Sequence, residues 1–128
     1  SGGRILQQGT PSECYLRPRS IRAARLLGPV NVLPARVFGG AASTVLGDLQ
    51  ADGLPDGEAV AMIRPEGLRL APAGAAARVA GVRFGGAFWE VTLEVGGHEL
   101  RMNLTDQPPQ GETVTVSIDP NRAAVLQD

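Results

Sequence analysis

The chain has 128 residues, 43% of them hydrophobic but only 4% aromatic, with 17 glycines and 10 prolines. That length supports one domain whose core rests on Val, Leu, Ile and Ala, and the glycine and proline content suits short strands joined by turns. A net charge of −1 excludes a global pull toward nucleic acid or anionic membrane, and the lone cysteine, Cys14, excludes an intrachain disulfide and fits a reducing compartment.

No apolar run reaches the length needed to span a bilayer, and no secretory signal pattern is visible. Contact with a membrane is therefore expected only through a partner. The charge is uneven. Residues 1–36 carry six arginines against Glu13, a sum of +5, while residues 37–128 carry six arginines against twelve carboxylates, a sum of −6. Every basic residue is arginine.

In chain order, Gly3 to Gly9 reads as a short strand closed by glycine. Thr10 is a good N-cap, Pro11 suits the first helical position, and Glu13 completes a capping box. This helix should end near Arg17, because Pro18 disfavours helical geometry before it. Ser20 starts a second helix with a stripe of Ile21, Ala24 and Leu27 or Ala23, Leu26 and Leu27, stopped by Gly28-Pro29. Val30 to Phe38 reads as an edge or bulged strand because of Pro34. Ser43 to Leu46 is a weak strand, and Gln50 to Gly57 a loop. Glu58 to Arg64 is an apolar run expected to be buried on both faces. Pro65-Glu66-Gly67 turns the chain into Leu68–Leu70, and Ala71 to Ala77 reads as a flexible connection.

The last third alternates with period two. Val91, Leu93 and Val95 face one way, Gly96-Gly97 makes a hairpin turn, and Leu100, Met102 and Leu104 return. A two-residue loop pairs Leu93 with Leu100, Val91 with Met102 and Thr92 with Arg101. It also sets Glu94 against Glu99, a like-charge conflict. Val114, Val116 and Ile118 repeat the pattern, and Asp119-Pro120-Asn121 turns into a final strand, Arg122 to Leu126. Strands of this kind at short spacing predict a small antiparallel barrel or sandwich.

Catalytic chemistry finds little support. His98, the only histidine, follows a glycine turn and reads as an exposed hairpin residue. Cys14 has no histidine beside it in sequence. The carboxylates are scattered, unlike metal ligands. "FGGAF" and "EVGGHE" precede no helix, and a chain without lysine has no P-loop lysine. Phe84, Phe88 and Trp89 form one aromatic cluster. The strands around it carry Glu90, Glu94 and Glu99, which repel phosphate, so core packing or a protein contact is favoured over nucleic acid.

The stretch from Gly3 to Val37 resembles the end of the ATPase domain in bacterial ABC importer ATP-binding subunits of the maltose, iron(III), sulfate and polyamine type. Gly3, Arg4, Ile5, Gln7, Gly9, Thr10, Pro11, Glu13, Tyr15 and Pro18 fall on its pattern, as do Leu27, Gly28 and Asn31; Cys14 replaces the usual Leu or Ile. "AMIRPEGLRL" resembles a motif of the C-terminal regulatory domain, the transport-associated OB or TOBE domain, through Ile63, Arg64, Pro65, Glu66 and Leu68. The closing strands resemble the end of that domain.

The resemblance implies a mainly β fold: an OB-like antiparallel β-barrel behind a short strand-helix-helix remnant of the ATPase domain. Residues 1–28 are then the ATPase tail and 29–128 the regulatory domain. It implies no catalytic, cofactor or metal residue in this chain, which is expected not to be an enzyme by itself; ATP and Mg would belong to the parent, an ABC-type transport ATPase. A homodimer, permease subunits met through the ATPase domain, and a cytoplasmic place on the inner membrane face follow from the same resemblance. No nucleic-acid partner and no membrane insertion are expected.

Ile5, Leu6, Phe84, Phe88 and Trp89 are interface candidates, Ile5 and Leu6 because they would normally pair in the ATPase sheet. The motif residues Gly9, Thr10, Pro11, Glu13, Tyr15, Asn31, Arg64, Pro65 and Glu66 are expected to be structural. The competing reading is an oxyanion sensor using Arg36, Arg64, Arg69 and Arg83; a salt bridge or solvated strand face is favoured for each. A nucleic-acid-binding OB domain ranks behind both. The resemblance leans toward iron(III) or polyamine uptake over sugars.

Overall fold

The computed structural model describes residues 10–108 and 110–127. The expected first strand, and with it Ile5, Leu6 and Gly9, lies outside the described residues. Two short helices come first, α1 (Pro11–Leu16) and α2 (Ile21–Leu26). Both start as their caps dictate: the Thr10 hydroxyl accepts the Glu13 N–H at 3.1 Å, and the Ser20 hydroxyl accepts the Ala23 N–H at 3.0 Å. α2 buries Ala23 and Ala24, whereas Leu26 and Leu27 are 65% and 48% exposed. The leucine part of the expected stripe therefore faces outward, because the packed face carries the small side chains that let a helix lie close.

Among the described residues, nine strands follow in two antiparallel sheets. The first contains β1 (Asn31–Phe38), β2 (Ala41–Thr44), β3 (Gly47–Gln50), β4 (Gly57–Ile63) and β9 (Ala123–Leu126), in the order β3-β2-β1-β4-β9. The second contains β5 (Leu68–Phe84), β6 (Trp89–Val95), β7 (His98–Leu104) and β8 (Thr113–Ile118), in the order β7-β6-β5-β8. Together they form an OB-like, curled half-barrel. One core lies between them, with Leu33, Val37, Ala61 and Ile63 from the first sheet against Val79, Leu93, Leu100 and Met102 from the second.

The β6–β7 hairpin has the expected register, Leu93 opposite Leu100 and Val91 opposite Met102. The Glu94–Glu99 conflict is real, and Arg78 on the neighbouring strand relieves it with an ion pair to Glu94 at 2.7 Å.

Four expectations need correction. β1 is a central strand and keeps unbroken register with β4; Pro34 is tolerated because β2 pairs only with residues 36–38, leaving the other flank open at the proline. The weak strand runs Ala41–Thr44, and a further strand, Gly47–Gln50, pairs with it. β4 is fully buried only at Ala61, Met62 and Ile63. Ala71–Ala77 is no loose connection but the interior of the 17-residue β5, whose pairing with β8 slips between Leu70 and Ala75.

Candidate functional site

The motif residues meet at the junction between the helical segment and the barrel. β4 alternates, so Ala61 and Ile63 face the core while Met62 and Arg64 face the other way. The helical segment covers that second face. Arg64 is only 2% exposed. Its Nε and Nη2 donate to the Tyr15 carbonyl at 3.3 and 3.2 Å, and Nη1 donates to the Gly28 and Pro29 carbonyls, each at 3.1 Å. The guanidinium also lies 4.1 Å from the Tyr15 ring centroid, a cation–π contact. One side chain thereby grips the end of α1 and the exit of α2. Arginine suits this place because its rigid fork presents several donors at fixed angles.

Pro65–Gly67 is a single 3-10 turn, with Pro65 at its start. It carries Glu66 outward, where the carboxylate accepts the Tyr15 hydroxyl. Beyond this turn, Asp119 caps a second 3-10 turn, accepting the Asn121 N–H at 3.0 Å and pairing with Arg69 at 2.6 Å. The Arg69 guanidinium holds the Asp119 carboxyl below the usual carboxylate range. Arg17 adds a tie, donating to the Ala123 carbonyl at 2.9 Å. Arg17 and Asp119 are residues that sequence reading missed; the Asp-Pro-Asn turn was visible, its ion pair was not.

Asn31 closes the opposite flank. It sits in phase with the core-facing residues of β1, so its amide points toward the second sheet. There Nδ2 donates to the Arg101 carbonyl and Oδ1 accepts the Arg101 N–H, both at 2.8 Å. The side chain behaves as a one-residue strand against the outer edge of β7.

Burial pushes the Arg64 guanidinium down, opposed by Tyr15 and Glu66. The Tyr15 phenol is pushed up to about 12, first by burial and then by its hydrogen bond to Glu66. This fixes a sign. The fold favours the neutral phenol, so the contribution is complete below the free-tyrosine value of about 10 and is lost as pH rises from there toward 12. Tyr15 is the only tyrosine, so absorbance at 295 nm reads it alone. The expected midpoint is near 12 in the folded chain and about 10 in concentrated urea; a folded midpoint at 10 would refute the contact.

Of the motif residues, Tyr15, Arg64, Pro65 and Glu66 meet at this junction; Thr10, Pro11 and Glu13 form the exposed first turn of α1, and Asn31 lies on the β7 side. The aromatic candidates lie apart. Phe84, 60% exposed, lies tilted against Trp89 at the β5–β6 turn, with ring centroids 5.0 Å apart. Phe88 instead helps wall an open cleft of 470 Å³ with Tyr15, Pro65, Glu66 and Arg101. Of the four arginines weighed for oxyanions, Arg64 is committed to carbonyls, Arg69 to Asp119 and Arg83 to Glu90. His98 is half-buried at the start of β7, not fully exposed as expected, since it pairs opposite Val95. Among the described residues no group of His, Cys, Asp and Glu is placed to hold a metal ion, and no helix is long and apolar enough to cross a membrane.

This buried arginine lies inside the segment where a family profile, the TOBE domain, matches the chain, residues 61–126. The chain belongs to the TOBE domain family. Over 97% of its length the chain is 39% identical to an Fe(3+) ions import ATP-binding protein of Streptomyces avermitilis. The corresponding Escherichia coli protein is 32% identical over 98% of the chain. A sulfate/thiosulfate import ATP-binding protein of Chromobacterium violaceum is 42% identical over 76%. The chain spans only 38%, 38% and 29% of these relatives, respectively.

Proposed function

We propose that this chain is the C-terminal regulatory and dimerisation segment of the ATP-binding subunit of an ABC-type importer. Residues 1–28 serve as the tail of an ATPase portion and 29–128 as the regulatory domain. The parent couples ATP hydrolysis to solute uptake, with ATP and Mg bound by residues outside this chain, and works with permease subunits on the cytoplasmic face of the membrane. The relatives' names favour iron(III) as the solute.

The observation that carries the reading is the Arg64 junction. Residues from both family motifs, about fifty positions apart, converge there on structure-holding contacts rather than on a reactive centre. An accessory domain that holds a fixed attitude needs this; an enzyme or a sensor needs a prepared pocket. For dimerisation, the exposed Phe84 ring, backed by half-buried Trp89, offers an apolar contact.

The test is a graft. The matching stretch of the Streptomyces avermitilis import protein is replaced by this chain, and iron-dependent growth and ATPase activity are measured. Retained uptake and ATPase activity are expected; a folded chimera that hydrolyses ATP but imports nothing would overturn the role. Light scattering of the chain alone separately tests the dimer, and a monomer at tens of micromolar would remove that part.

A further inference from the structure

We infer that residues 10–29 dock and release as one unit, with Arg64 as the positioning residue that fastens both ends. Three observations carry this. α1 and α2 have six residues each, too short to persist as helices once detached. The loop from Tyr15 to Pro29 is closed at both ends by one guanidinium: Tyr15 O on one side, Gly28 O and Pro29 O on the other. Of the segment, only Pro18, Ala23 and Ala24 are buried, so apolar packing alone gives it little hold.

Release of Arg64 therefore loosens both helices together, leaving the Arg17 bond to the Ala123 carbonyl as a single outer tie, while the barrel core, built from other residues, stays closed. The Tyr15–Glu66 hydrogen bond is an outer contact, because Glu66 is exposed. Losing it leaves the Tyr15 carbonyl and ring on Arg64. Within the function proposed above, and only there, the segment becomes a coupling: docked, it carries the barrel along with whatever moves it; released, it lets the barrel lag. The docking itself does not depend on that reading.

Native-state hydrogen exchange in sub-denaturing urea tests the inference on the 128-residue chain. The reporters are the amides of Cys14, Arg17, Ala24, Leu27 and Gly28, each of which donates to a backbone carbonyl within the segment. All five are expected to follow one urea dependence, distinct from that of the β6–β7 hairpin amides. Arg64→Lys keeps the charge but loses the fork; it should accelerate all five about tenfold or more, with a urea dependence that stays shallower than the hairpin's. Tyr15→Phe should leave the five within about threefold of the unaltered chain.

Separate urea dependences for the two helices would overturn the inference. So would a dependence shared with the hairpin, or five amides that Arg64→Lys leaves within about threefold of the unaltered chain. Should Arg64→Lys fail to fold, the unaltered chain's urea dependence decides alone. Failure of the importer reading would leave these exchange results untouched.

Discussion

Arg64→Ala is expected to destabilise the chain by about 3–5 kcal/mol, because several hydrogen bonds to one charged donor are lost together. The change strands three carbonyls, those of Tyr15, Gly28 and Pro29, and an acceptor left unpaired out of water's reach costs about 1–3 kcal/mol. Rehydration of the surface segment recovers part of that, which keeps the total below the simple sum. The alanine also leaves a void under the Tyr15 ring. Urea unfolding read by the single tryptophan, Trp89, measures the loss in the barrel, and far-UV circular dichroism adds the helices. A loss below about 1 kcal/mol would mean that the buried fork holds nothing. Arg64→Met separates the contributions: it restores bulk but no donors, so it should remain well below the native stability.

Gly74→Ala should be as damaging, for a reason confined to the backbone. β5 pairs with β8 over Leu68–Leu70 and again over Ala75–Arg78, with Val116 opposite both Leu70 and Ala75. The residues between form a bulge that folds over Val116. Gly74 has φ +154°, and a Cβ there would collide with the Val116 carbonyl oxygen and stand 2.8 Å from its carbon. Neither atom belongs to a side chain that can rotate away. The expected loss is about 3–5 kcal/mol, since either the bulge or the β8 register must shift. Ala73→Gly, at an exposed neighbouring position, should cost about 1 kcal/mol or less. Equal effects at the two positions in urea unfolding would rule out the steric account.

These two positions also mark where sequence reading succeeds and fails. The β6–β7 hairpin was legible to the register because its signals are local: alternation, a glycine pair, alternation again. The caps of α1 and α2 were legible because Thr10 and Ser20 act over three residues. The bulge around Gly74 was not, because a long strand that bends needs the same Pro, Gly and Ala that a loose connection uses. Arg64 was singled out by its motif, yet its partners lie 49, 36 and 35 positions away. No local pattern distinguishes an arginine aimed at distant carbonyls from one awaiting an anion. Pro34 misled for a related reason: whether a strand has a neighbour at one given residue is a property of the sheet, not of the strand.

The Asn31 side chain has one further consequence. The outer rim of β7 offers a backbone donor and acceptor at Arg101, the kind of opening on which a stray polypeptide can zip to begin cross-linking molecules into fibres. Asn31 already occupies that pair, so an incoming chain finds its ladder blocked mid-rim. A residue that joins two layers of the fold thus also caps this stretch of edge, and it does so with one amide rather than with an added strand.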